Sequence, residues 1–224
     1  TLAIAWRESG LAQAGLSHYE QAFSDLGKAI QLAPTDAENY YVRADLLSRL
    51  DREDEALEDY QRAIAIRPQD GVAYYKQGRL FLDQGKHKQA LEAINQALNV
   101  DPSQAEAFVV RGQVYEALNQ MSKALDDWDR ALQLDPKQTD AFYFRGAYYY
   151  RNGQELQAKA DLDRAIQLGS MQFEAYNYRA ILYSEEKAYD RALELYSESI
   201  RLNPNQPDIY FTRAEYYLQL KQYA

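Results

Sequence analysis

AENYYVRADLLSRLDREDEALEDYQRAIAIRPQD, residues 37–70, holds one complete structural unit. Tyr40, Arg43, Ala44, Leu47 and Leu50 follow the i, i+3, i+4, i+7, i+10 spacing of one helical stripe. Asp51-Arg52 breaks that stripe and reads as a turn. Ala56, Leu57, Tyr60, Ala63 and Ile64 form the stripe of a second helix. Pro68 cannot continue it, and the residue before a proline is pushed out of the helical region. The stretch therefore predicts an antiparallel helix pair. Small side chains at Ala44, Ala56 and Ala63 mark where backbones approach closely.

Outward from this stretch the pattern repeats with a 34-residue period. Pro34, Pro68, Pro102 and Pro136 keep it, Ser170 replaces the next proline, and Pro204 resumes it. An aromatic recurs at Trp6, Tyr40, Tyr74, Phe108, Phe142, Tyr176 and Tyr210. Four residues later comes Gly10, Ala44, Gly78, Gly112, Gly146, Ala180 or Ala214. An alanine column runs through Ala22, Ala56, Ala90, Ala124, Ala158 and Ala192, and a second small column through Ala29, Ala63, Ala97, Ala131, Ala165 and Ser199. A fixed period of this length means stacked copies of one supersecondary unit, each burying its apolar face only against its neighbours.

These columns resemble the tetratricopeptide repeat family, in the variant that carries Arg-Gly where most members carry Leu-Gly. The resemblance implies an all-α fold, a right-handed superhelical solenoid of antiparallel helix pairs. It covers residues 1–224 as a single domain, with repeats 3–36, 37–70, 71–104, 105–138, 139–172 and 173–206 and a capping half repeat over 207–224. Tyr216, Tyr217 and Tyr223 are expected to be partly exposed on that last helix. The chain has no initiator Met and stops after a first helix, so it reads as a piece of a longer protein.

Composition narrows the function. A net charge of −9 lacks the basic stripes that nucleic acid would need. There is no cysteine, hence no disulfide or thiolate chemistry. No apolar run approaches the ~20 residues of a membrane-spanning helix. The only histidines, His18 and His87, fall near turns of different repeats, which argues against a shared metal site. No Gly-rich phosphate loop precedes a helix. The expectation is a non-enzyme with no catalytic residues, metal or cofactor, and its compartment is left open between cytoplasm and bacterial envelope.

One column departs from the common family pattern: Ser9, Arg43, Gln77, Arg111, Arg145, Arg179 and Arg213. An arginine beside a packed helix needs an acid, and Asp25, Asp59, Asp127 and Asp161 recur in the second helices. Pairs Arg43–Asp59, Arg111–Asp127 and Arg145–Asp161 are expected. The sixth repeat breaks the rule, with Arg179 facing Leu195. Gly169-Ser170 replaces the usual Asp-Pro and reads either as an alternative loop or as a hinge.

The resemblance places the first helices along a concave groove. Groove residues are then Tyr41, Asp45, Tyr75, Lys76, Arg79, Gln113, Tyr143, Phe144, Arg151, Asn177 and Tyr178. Aromatics exposed along such a groove suit peptide contact; alternatively they pack between first helices. Chaperone-docking members grip a terminal carboxylate with Lys and Asn at fixed groove places. Here those places hold Arg7 and Leu11, Tyr41 and Asp45, then Tyr75 and Arg79, so that clamp is not expected. The function expected is a protein-interaction scaffold holding a partner peptide or helix in the groove. The alternative is a spacer or self-assembly arm of a larger envelope, secretion or assembly machine.

Overall fold

The computed structural model describes residues 1–220, and Tyr223 lies outside them. All regular structure among the described residues is helical, and the chain packs as two compact units divided after Gln120. The first unit holds α1 (Leu2–Gly15), α2 (Tyr19–Leu32), α3 (Ala37–Arg49), α4 (Glu53–Ile66), α5 (Gly71–Asp83), α6 (His87–Val100) and α7 (Ala105–Ala117). The second holds α8 (Met121–Leu134), α9 (Thr139–Arg151), α10 (Glu155–Gln167), α11 (Phe173–Glu185), α12 (Tyr189–Leu202) and α13 (Pro207–Gln219). Within each unit every helix packs on its sequence neighbours, and α1–α3, α5–α7 and α9–α11 also touch.

The small columns sit where the sequence places them. Ala22, Ala56, Ala90, Ala124, Ala158 and Ala192 are all fully buried. A further column, of which the sequence reading names only Tyr60, holds the largest fully buried side chains: Leu26, Tyr60, Ile94, Trp128, Leu162 and Tyr196. The small first-helix column exists to receive it. A Cβ at Gly10 would lie 2.7 Å from Leu26, and one at Gly78 would lie 2.6 Å from Ile94. Close backbone approach and one bulky plug thus define the helix pairs that lie within a single unit.

The turns inside the pairs share one backbone device. Ser17, Asp51, Gly85, Asn119, Gly153 and Lys187, each 34 residues from the next, all have φ between 57° and 69°. In each, two amides return to the preceding turn of helix; for α3, Arg52 N donates to Leu47 O at 3.0 Å and Asp51 N to Ser48 O at 3.2 Å. This is the Schellman closure, in which a left-handed residue satisfies the last carbonyls of a helix. Left-handed backbone costs a side-chain-bearing residue about 1–2 kcal/mol, and glycine escapes it. Lys187→Gly should therefore raise stability by about 0.5–1 kcal/mol net of glycine's extra chain entropy. Denaturant titration checks it, and a loss of stability would contradict the assigned conformation.

Between pairs, proline sets a different turn. Asp70 N donates to Arg67 O at 3.1 Å across Pro68-Gln69, the turn type that favours proline at its second place. The Gly169-Ser170 site departs from this as an alternative loop. Gly169, at φ +82°, closes α10 with a Schellman pair, Ser170 N to Ala165 O at 3.0 Å and Gly169 N to Ile166 O at 3.0 Å. Ser170 is buried, and its carbonyl accepts from Tyr176 Oη at 3.1 Å.

Candidate functional site

The arginine column binds the second helices. Arg43 grips Asp59 through two bonds of 2.6 and 2.8 Å, and Arg145 grips Asp161 through two of 2.7 Å. Each carboxylate holds its arginine above the usual guanidinium pKa, the direct hydrogen bond being the main cause. Arg145 also donates to Asp129. The expectation for the sixth repeat needs correction. Arg179, instead of facing Leu195 without an acid, reaches back to Asp163 at 2.7 and 3.2 Å and lies over the Tyr183 ring at 3.6 Å. Asp163 sits sixteen residues before Arg179, in the second helix of the previous repeat, as Asp129 does for Arg145. These arginines are occupied as structural clamps.

The opposite face of the first unit carries free polar chemistry. A cleft of about 260 Å³ opens between α3 and α5, lined by Asp45, Ser48, Arg49, Lys76, Arg79 and Asp83, with Tyr60 at its back. Asp45 organises it, accepting from Tyr60 Oη at 2.5 Å and from Lys76 Nζ at 3.2 Å. Burial, then that hydrogen bond, keeps the Tyr60 phenol protonated far above its usual range. Burial and the Asp45 charge push Tyr41 up as well. Arg79 makes only an exposed contact with Asp83, 3.3 Å away, and Arg49 is exposed with no partner among the described residues. The Arg79–Asp83 pair is of the exposed kind that a ligand displaces at little cost, while the Lys76–Asp45 pair is half-buried.

The aromatic residues expected along the groove are less exposed than a free row would be. Tyr143 is buried, at 9% exposure, with its ring 4.8 Å from Phe144. Phe144 in turn stacks on Trp128 at 5.9 Å. Tyr41 meets Tyr60 edge-on at 6.1 Å, and Tyr178 meets Tyr150 at 4.8 Å. Tyr75 packs against the cluster of Ile94, Leu98, Ala107 and Val110. These rings pack in the seams between helices, the second of the two arrangements that the sequence left open, with Tyr143 buried and Tyr41, Tyr75, Phe144 and Tyr178 half-buried. Asn177 donates to Gln206 at 2.7 Å, Arg151 is exposed on α9, and the buried Gln113 Oε1 has no partner. The structure thus brings Asp45, Lys76 and Arg79 into one cleft, and Tyr41 and Tyr75 are not among the residues that line it. The share of Tyr60 in that cleft was not foreseen, because its ring belongs to the buried stripe and only its hydroxyl emerges.

Among the described residues no three His, Cys, Asp or Glu side chains gather as a metal site would need. None of the described helices is long and apolar enough to cross a membrane.

Family models of the tetratricopeptide repeat match residues 37–70, 75–139, 173–206 and 195–224. The chain belongs to the tetratricopeptide repeat family. Solved structures share the fold. Pseudomonas aeruginosa pilF superposes with a TM-score of 0.80 at 19% identity, over 96% of this chain and 97% of that one. PilW, described as a widely conserved type IV pilus biogenesis factor, gives 0.78 at 16% identity over 95% and 98%. YrrB, described as a tetratricopeptide repeat protein with an unusual peptide-binding site, gives 0.57 at 23% identity over 84% and 97%. Among curated proteins no sequence match was found. Tetratricopeptide repeat proteins bind protein or peptide partners and are in general non-catalytic, which is the setting in which the cleft between α3 and α5 is to be read.

Proposed function

We propose that this protein is a non-enzymatic interaction scaffold that holds a partner peptide or helix on its first-helix face. The observation that carries this reading is the α3–α5 cleft, where Arg49, Lys76 and Arg79 stand accessible around one carboxylate organiser, Asp45. Three cations against Asp45 and Asp83 favour an acidic segment there. Such contacts act through steering and are weakened by salt. The half-buried Tyr41 ring, edge-on to Tyr60, adds rigid amphipathic surface on the same face. The description of YrrB as peptide-binding supports the same mode.

A pull-down comparing the wild type with Arg49→Ala/Arg79→Ala tests the reading. Both side chains are exposed, so the fold should persist. The expected outcome is loss of particular preys, and loss of the same preys from the wild type as salt is raised. Identical prey sets for the two proteins would remove the first-helix face from consideration.

A second reading, an assembly arm, has its own support. No side chain of helix α13 is fully buried, although Ile209 and Tyr216 pack on Ala180, Ala192 and Tyr196, and Phe211 and Leu218 are exposed at 73% and 59%. The likeness to pilF and PilW belongs with that reading. Light scattering separates the two: concentration-dependent self-association favours the arm, and a monomer at all concentrations disfavours it.

A further inference from the structure

The cleft between α3 and α5 is one end of a longer trough. On α3, Glu38, Tyr41, Asp45 and Ser48 recur every three or four residues, and on α5 so do Val72, Lys76, Arg79 and Asp83. The 3.2 Å bond from Lys76 to Asp45 spans the two stripes. At one end lies the cleft already described. At the other lies a hollow of about 300 Å³, lined by Glu38, Tyr41, Arg67, Asp70 and Val72. Tyr41 joins the two. Its ring lines the hollow and meets Tyr60, at the back of the cleft, edge-on at 6.1 Å. Burial, then the charges of Asp45, Glu38 and Asp70, push its phenol up, so carboxylates from both ends surround that hydroxyl.

The two ends carry opposite charge. Arg49, Lys76 and Arg79 outnumber Asp45 and Asp83 in the cleft, while Glu38 and Asp70 outnumber Arg67 in the hollow. Each end also holds one surplus charge whose side chain has no hydrogen bond or ion pair among the described residues, Arg49 in the cleft and Glu38 in the hollow. The acidic end adds apolar surface, since Val72 is 45% exposed and Tyr41 half-buried. Lysine and arginine lay their methylene stems on such surface and carry the charged head past it. Glu38 and Asp45 are separated by about 10 Å of helix. In a polyproline II chain, residues three apart face the same way at about 9 Å, which matches that span.

We propose that the trough selects an extended partner segment of mixed charge: a lysine or arginine on Val72 and Tyr41, facing Glu38 and Asp70, and an aspartate or glutamate three residues away, facing Arg49 and Arg79. The proposal rests on the first-helix reading above and adds a second anchor of opposite sign. A uniformly acidic segment meets like charge at Glu38 and Asp70, and a uniformly basic one meets it at Arg49, Lys76 and Arg79, so both are disfavoured.

The test uses the whole chain and short acetylated, amidated peptides of Gly, Ser and Pro that carry Lys and Glu three places apart, made in both orders. Affinity is read by NMR titration at low salt. The tighter order should bind about tenfold better than the same peptide with Gln in place of Lys, and better still than the one with Glu there. Glu38→Gln should remove most of that advantage while leaving the Gln–Glu peptide unchanged, and Glu38→Lys should turn the preference toward the peptide with two glutamates. Asp70 stays in place because it caps α5, accepting from Ala73 N at 3.1 Å. If none of the peptides binds, the first-helix reading falls and the proposal with it. If the Gln–Glu peptide binds as tightly as the Lys–Glu peptide, that reading stands and the second anchor is overturned. Equal weakening of both peptides by Glu38→Gln would overturn the anchor too, as would equal affinity for a peptide with Lys and Glu adjacent.

Discussion

Arg145→Ala will lower stability by about 3–5 kcal/mol, the scale expected when one partner of a buried ion pair is removed. The cost comes less from the lost bonds than from what stays behind. Asp161 is 6% exposed, and without Arg145 it loses both 2.7 Å donors while remaining shut away from water. Arg52→Ala provides the contrast. Arg52 and Glu55 form an equally short pair, 2.6 Å, but both are exposed, so no measurable change is expected. The double variant Arg145→Gln/Asp161→Ala should recover most of the loss, because it removes both charges together. The chain already carries that combination at Gln77 and Ala93. Denaturant unfolding of the three variants decides the matter; equal losses for Arg145→Ala and Arg52→Ala would contradict the role given to burial.

Trp128→Ala will cost a similar amount, about 3–5 kcal/mol, for a different reason. Trp128 is fully buried and stacks on Phe144 at 5.9 Å and 19°. Alanine would leave a hole as large as an indole, which close-packed helices close only in part. Trp128→Leu, matching Leu26 and Leu162 at the same register, should recover part of it. Guanidinium unfolding followed by circular dichroism tests the pair. A loss below about 1 kcal/mol for Trp128→Ala would mean that the indole is not a packing centre of the second unit.

The same contrast explains which features could be read from the sequence. Helix pairs, turns and the alanine columns were legible because each depends on residue size at a fixed spacing. Arg43–Asp59 and Arg145–Asp161 were legible because opposite charges recur at a constant offset. Arg179 was misjudged because its acid, Asp163, lies in the preceding repeat, outside the offset that served the others. For Tyr143 the sequence leaves groove and seam both open, because helix neighbours one position apart differ by about 100° and can face a seam or solvent according to small rotations. The left-handed corners escaped notice for a plainer reason. Their closing bonds are made by main-chain atoms, so Ser17, Asp51 and Lys187 form them as Gly85 does, at the conformational cost that glycine escapes.

That last property bears on how such a chain can change length. Since each corner is fastened by backbone alone, its geometry does not depend on which side chains precede or follow it. A gene segment duplicated or excised between any two corners would regenerate the same fastening at the new junction, whatever the divergence of the joined copies. Growth and loss by whole modules is therefore open to this polypeptide wherever the helices joined across a corner also carry matching partners, as Arg43 and Asp59 do.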